Sequence, residues 1–150
     1  MFRVSSVEKP FSEFLRSPNE VVAELDAHPV ILRRRGAPAL RLALEAREEQ
    51  QAEAVQGIAR IARCLLLGSD RQAAILEAFP WVTFLPEADR GAFSEELLQV
   101  IAGSAELQNF APLAQVLHEW RVTAEIHADP ALANQLRQPL NAEGGQVPSP

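Results

Sequence analysis

The chain has a single cysteine, Cys64, so no disulfide can close within it. A reducing, cytoplasmic setting is therefore expected. No stretch approaches the roughly 18 to 20 uncharged apolar residues that a membrane span requires, so no membrane partner is expected. The opening residues Met1-Phe2-Arg3-Val4-Ser5 hold no apolar core ahead of a small-residue cleavage site, and no secretory signal is expected. Glycine is sparse, with seven residues thinly spread, and neither a glycine-rich phosphate loop nor a G-x-S-x-G turn occurs. His28, His118 and His127 include no pair at the i, i+4 spacing that sets two metal ligands on one helix face. Cys64 has no base beside it and reads as a packed thiol rather than a nucleophile. These absences leave no catalytic residue, metal or cofactor to name, and the expectation is a protein that is not an enzyme.

What is present is charge of two kinds in two places. The net charge is -6 and 47% of residues are hydrophobic, ordinary for a globular chain. Residues 1–44 carry seven basic groups (Arg3, Lys9, Arg16, Arg33, Arg34, Arg35, Arg41) against five acids. The remaining residues carry seven basic groups against fifteen acids. Such asymmetry points to two surfaces with different partners. All the basic residues but Lys9 are arginine, whose planar fork suits phosphate.

Along the chain, Phe2 to Val7 is β-prone, and Phe11 to Leu15 can form one or two helical turns. Ser17-Pro18-Asn19-Glu20 has the form of a capping box with proline at the first helical position. It opens a helix with Val21, Val22 and Leu25 on one face. Val30-Ile31-Leu32 and Pro38–Leu44 read as the two strands of a hairpin turning at Gly36, with Leu40, Leu42 and Leu44 alternating. From Glu45 the pattern becomes helical. Glu45–Glu53 reads as solvated, and Val55, Ile58, Ala59, Ala62, Leu65 and Leu66 follow as an expected buried stripe ending at Gly68. Asp70 is placed to cap a helix carrying Ala74, Ile75, Ala78 and Phe79 inward, with Pro80 as its stop. After the apolar connector 81–86 come a helix over 87–102 and an amphipathic helix carrying Leu113, Val116, Leu117, Trp120 and Ala124 that ends near Asp129-Pro130, then a short helical turn at 131–136. Residues 139–150 read as a disordered tail.

The order strand, short helix, capped helix, Arg-rich hairpin, charged helix resembles the prevent-host-death (Phd/YefM-like) antitoxin family. Val4-Ser5-Ser6-Val7-Glu8 is similar to that family's opening segment. Pro29-Val30-Ile31-Leu32 with Arg34-Arg35-Gly36-Ala37-Pro38 is similar to its hairpin. The resemblance covers about residues 2–66. It implies an N-terminal module that pairs and binds its own operator, and a C-terminal part that neutralises a toxin. The same resemblance sets Arg34 and Arg35 where the family places basic contacts to DNA. Arg33 stands in place of a hydroxyl residue, and Pro10 in place of an arginine to which Lys9 is adjacent.

The expected fold is α+β: a small Phd/YefM-like module over 1–63, an all-α partner-binding domain over 64–138, and a tail over 139–150. Lys9, Arg33, Arg34 and Arg35 are the expected DNA contacts, since each guanidinium on a phosphate releases counterions. A bland reading of the three arginines is a solvated turn. Trp81, Phe84 and Trp120 are the expected partner-binding anchors; the bland alternative makes the C-terminal aromatics simply a helical core. Two strands and two short helices bury too little to stand alone, so a homodimer is expected, pairing through the hairpin or the Val4 strand. The function expected from this set is an antitoxin that binds operator DNA and a cognate toxin. The competing expectation is a helical adaptor that dimerises without binding DNA.

Overall fold

A computed structural model describes residues 6–137. Strand β1 (Val7–Pro10) leads into helices α1 (Phe11–Arg16) and α2 (Pro18–Glu24), and β2 (Val30–Arg34) and β3 (Ala37–Leu42) form the hairpin. Helix α3 (Glu45–Leu66) then crosses to α4 (Arg71–Ala78), a 3-10 turn (Pro80–Phe84), α5 (Glu87–Leu107), α6 (Ala111–Ala128) and α7 (Pro130–Arg137). The class is α+β, with helix predominant and one three-stranded sheet in the order β1-β2-β3. The β character expected at 2–7 falls largely on residues outside the described range, as does the expected tail. The strand that is seen runs over Val7–Pro10.

β1 runs parallel to β2, pairing Val7 with Val30 and Lys9 with Leu32. Pro10 lacks an N–H and is tolerated because β1 is an edge strand. β2 and β3 are antiparallel, pairing Val30 with Leu42 and Leu32 with Leu40, and the register then shifts so that Arg34 meets Ala37. The extra β3 residue lies at Pro38-Ala39, a bulge where a proline interrupts no ladder bond. Val30 and Leu32 are wholly buried and meet Val21 and Leu25 of the α2 segment, with Phe11, Phe14, Leu42 and Leu44 packed around them. This core is small.

Two local expectations change. Ser17 makes no side-chain cap to α2, because its backbone is already used to close α1: its N–H donates to the Glu13 carbonyl at 2.9 Å. One residue serving as the end of one helix and the start of the next is held away from the usual N-cap geometry. The buried stripe of α3 is also rotated from the one expected. Ala54, Gly57 and Ile61 are buried, with Ile58 and Cys64 packed beside them, while Val55, Leu65 and Leu66 are 43%, 45% and 88% exposed. The core takes this side because the Phe79 ring lies across α3 at Gly57.

The larger core joins α3 to α4, the 3-10 turn, α5 and α6. Asp70 caps α4 as expected, its carboxylate accepting from the Ala73 N–H at 2.9 Å. Ala74, Ile75, Ala78 and Phe79 all point inward. The expected boundary at 63/64 falls inside α3, a continuous helix whose first turns serve the sheet and whose later turns serve the helical core. Arg47 donates to the Leu25 and Asp26 carbonyls, and Arg41 pairs with Glu48 at 2.7 Å, fastening the N-terminal module to the start of α3. No helix among the described residues is long and apolar enough to cross a membrane.

Candidate nucleic-acid interface and partner surface

The four residues expected to meet DNA all lie in the N-terminal module, but their side chains do different things. Lys9 is on the face of β1 that the helices cover. Its ammonium sits 2.8 Å from both Glu13 and Glu24, and its side chain is only 17% exposed. The hydrogen bonds it donates to Glu13 and then Glu24 raise its pKa above the ordinary lysine value and hold it charged. That charge is answered within the module, tying β1 to α1 and α2.

Arg33 lies on the opposite, open face. It grips Glu8 with two nitrogens, Nη2 to Oε1 at 2.6 Å and Nε to Oε2 at 3.2 Å. The hydrogen bonding to Glu8, more than its plain attraction, raises the guanidinium's pKa. Arg34 reaches over the hairpin end and donates through Nε and Nη2 to the Pro38 carbonyl at 2.9 and 2.8 Å. The β3 bulge leaves that carbonyl available, so Arg34 braces the turn. Arg35 stands in the turn itself beside Gly36, whose φ of +65° is the left-handed conformation a tight turn requires. It is exposed and makes no ion pair or side-chain hydrogen bond among the described residues. The structure thus brings Arg33, Arg34 and Arg35 to one hairpin end, with Arg35 alone uncommitted, and sets Lys9 apart from them.

The expected partner anchors separate in the same way. Phe93 is fully buried on α5, and the rings of Phe79, Trp81 and Trp120 surround it with centroids 6.3, 5.2 and 5.7 Å away. Trp120 also donates from Nε1 to Glu96 Oε2 at 2.7 Å, linking α6 to α5. Both tryptophans are half-buried parts of this cluster. Phe84 is different: it is 57% exposed at the end of the 3-10 turn. Arg90 holds the backbone on either side of it, donating to the Thr83 carbonyl at 2.7 Å and the Leu85 carbonyl at 2.9 Å. Sequence reasoning passed over Arg90, since nothing in a lone helical arginine signals that it will meet carbonyls five and seven residues back. Cys64 is half-buried against the same core. Among the described residues no three His, Cys, Asp or Glu side chains gather as metal ligands.

Residues 71–149 match a family of unknown function, DUF6247. The chain belongs to this family. The DUF6247 match begins at the first residue of α4, so the aromatic cluster and Phe84 lie within it, whereas the sheet, the arginine hairpin and α3 lie before it. No curated protein and no solved structure matches the chain.

Proposed function

We propose that this protein is an antitoxin-type regulator, whose N-terminal module contacts operator DNA as one half of a homodimer and whose DUF6247 part binds a partner toxin. The observation that carries the DNA half is Arg35, a guanidinium with no partner among the described residues, at the tip of a braced, exposed hairpin. The element order from β1 to α3 supports it, being the order that the resemblance to the Phd/YefM-like family implies. Arg33 and Arg34 contribute differently from Arg35: Arg34 stiffens the tip, and Arg33 can reach phosphate only by giving up Glu8. For the toxin-binding half, Phe84 is the anchor, since it is presented outward while Trp81 and Trp120 hold the core beneath it. The excess of acids in the C-terminal part favours a basic partner.

The test is binding to the DNA upstream of its own coding sequence, titrated with salt, for the wild type beside Arg35→Ala. Specific binding is expected. The variant should bind more weakly, with a log-log salt slope smaller by about one for each phosphate it no longer neutralises. Failure of the wild type to bind that DNA at low salt would remove the DNA half of the reading. Capture of a small basic protein that Phe84→Ala fails to hold is the expected result for the other half.

A second reading has its own support. Lys9 and Arg33 are paired with carboxylates and Arg34 with a carbonyl, leaving a sparse basic surface. A helical adaptor that dimerises and binds only protein would show this pattern. A wild type that ignores DNA yet retains a Phe84-dependent protein partner would establish it.

A further inference from the structure

Helix α3 carries a second apolar stripe that none of the described residues covers. Ala52, Val55, Ala59, Ala62 and Leu66 recur at alternating steps of three and four, the spacing of a seam between two helices. All are exposed, and Leu65 beside them is 45% exposed. The stripe runs for about 22 Å along the helix axis, and its three alanines allow a neighbouring backbone to come close. We propose that its occupant is α3 of a second copy of this chain, packed antiparallel about a two-fold axis near Gln56 and Gly57.

The flanking charges select both occupant and direction. Glu49 and Arg63 lie on the same edge of the stripe, seven residues either side of Gln56, and both are exposed. Neither makes an ion pair or side-chain hydrogen bond among the described residues, although Glu48 and Glu53 nearby both do. In the antiparallel arrangement Glu49 of one chain faces Arg63 of the other, and the symmetry makes this contact twice. Val55 then packs against Ala59, Ala52 against Ala62, and Ile58 approaches its own copy on the far edge. A parallel pair would set Ile58 against Arg63 and Gln51 against Gln56, with no opposite charges meeting. Charges beside such a seam are what set partner and orientation.

The β3 edge of the sheet is a poorer pairing surface. At β3 the bulge breaks the ladder, Pro38 has no N–H to donate, and its carbonyl already accepts Arg34. The α3 pairing therefore deepens the proposed regulator by naming the interface of its dimer. It does not depend on DNA contact, so the two readings fail separately.

Sedimentation equilibrium of the full chain tests it. Twice the 16.5 kDa chain mass is expected at high concentration. Glu49→Arg alone and Arg63→Glu alone are each expected to weaken the dimer about tenfold, because two attractive contacts become repulsive. The double swap Glu49→Arg/Arg63→Glu is expected to restore it, and so is mixing the two single variants, which brings opposite charges together again. Both sites are exposed, and unchanged circular dichroism would show that the fold survives. A monomer at every concentration overturns the proposal. So does a dimer indifferent to the single swaps, or a weakening by the single swaps that neither the double swap nor mixing repairs.

Discussion

Gly57 lies on α3 where the Phe79 ring crosses it, and a Cβ there would stand 2.4 Å from Phe79 Cζ and 2.7 Å from Cε1. A flexible side-chain end could yield, but Phe79 is 5% exposed and wedged against Trp81 and Phe93, so the ring has nowhere to go. Alanine would gain roughly 1 kcal/mol in helix propensity over glycine, while forcing atoms into a packed core costs about 1 to 3 kcal/mol. Gly57→Ala is therefore expected to lower stability by about 1 kcal/mol. This would be read as a lower urea midpoint at unchanged slope; a midpoint equal to or above the wild type would show that the ring can move aside. The same contact explains why α3 has no side chain at position 57, where the ring crosses it. Lys9 is also set by its neighbours: two carboxylates at 2.8 Å make its ammonium a brace between strand and helices.

At the scale of the element, two helices that open with similar sequence signals are held differently. Asp70 accepts a backbone hydrogen bond at the start of α4, whereas Ser17 makes no such bond at the start of α2. Replacing a working N-cap by alanine costs about 1 kcal/mol. Asp70→Ala is accordingly expected to lose about that much, and Ser17→Ala only a few tenths. Equal losses in matched thermal melts would contradict the geometry at Ser17. The hairpin obeys a related logic: Gly36 permits the turn, the bulge releases the Pro38 carbonyl, and Arg34 fills it. The exposed tip is thereby held in shape by Arg34, one of the arginines expected from the sequence to meet DNA.

Across the whole molecule two cores of unequal size share α3. Among the described residues the N-terminal core has four buried hydrophobic side chains, Val21, Leu25, Val30 and Leu32, while twelve buried residues form the helical one. A smaller buried core means a lower free energy of local opening. Amides of β2 are therefore expected to exchange with solvent faster than those of α5 around Leu97. Arg47→Ala, which removes the tie to the Leu25 and Asp26 carbonyls, should widen the gap by loosening β2 and leaving α5 unchanged. Equal protection in β2 and α5 would instead indicate one cooperative unit. Both tryptophans lie in the helical core, so their fluorescence follows that core and not the sheet.

Sequence alone sufficed for the α+β class, the order of helices and hairpin strands from α1 to α6, the Asp70 cap, the turn at Gly36 and the inward face of α4. Each depends on signals within a few residues: a proline, a glycine, a cap, or a short run of apolar side chains at one period. The inward face of α3 was not legible, because its apolar residues lie on two sides and only the position of Phe79 shows which side the core takes. Nor was the division of labour among the expected site residues. Lys9, Arg33 and Arg34 differ from Arg35 through partners 4 to 25 residues distant. Trp81 and Trp120 differ from Phe84 through the packing of three helices around Phe93. Local sequence determines what a segment can form, but whether a charge or ring is free depends on which distant groups the fold brings beside it.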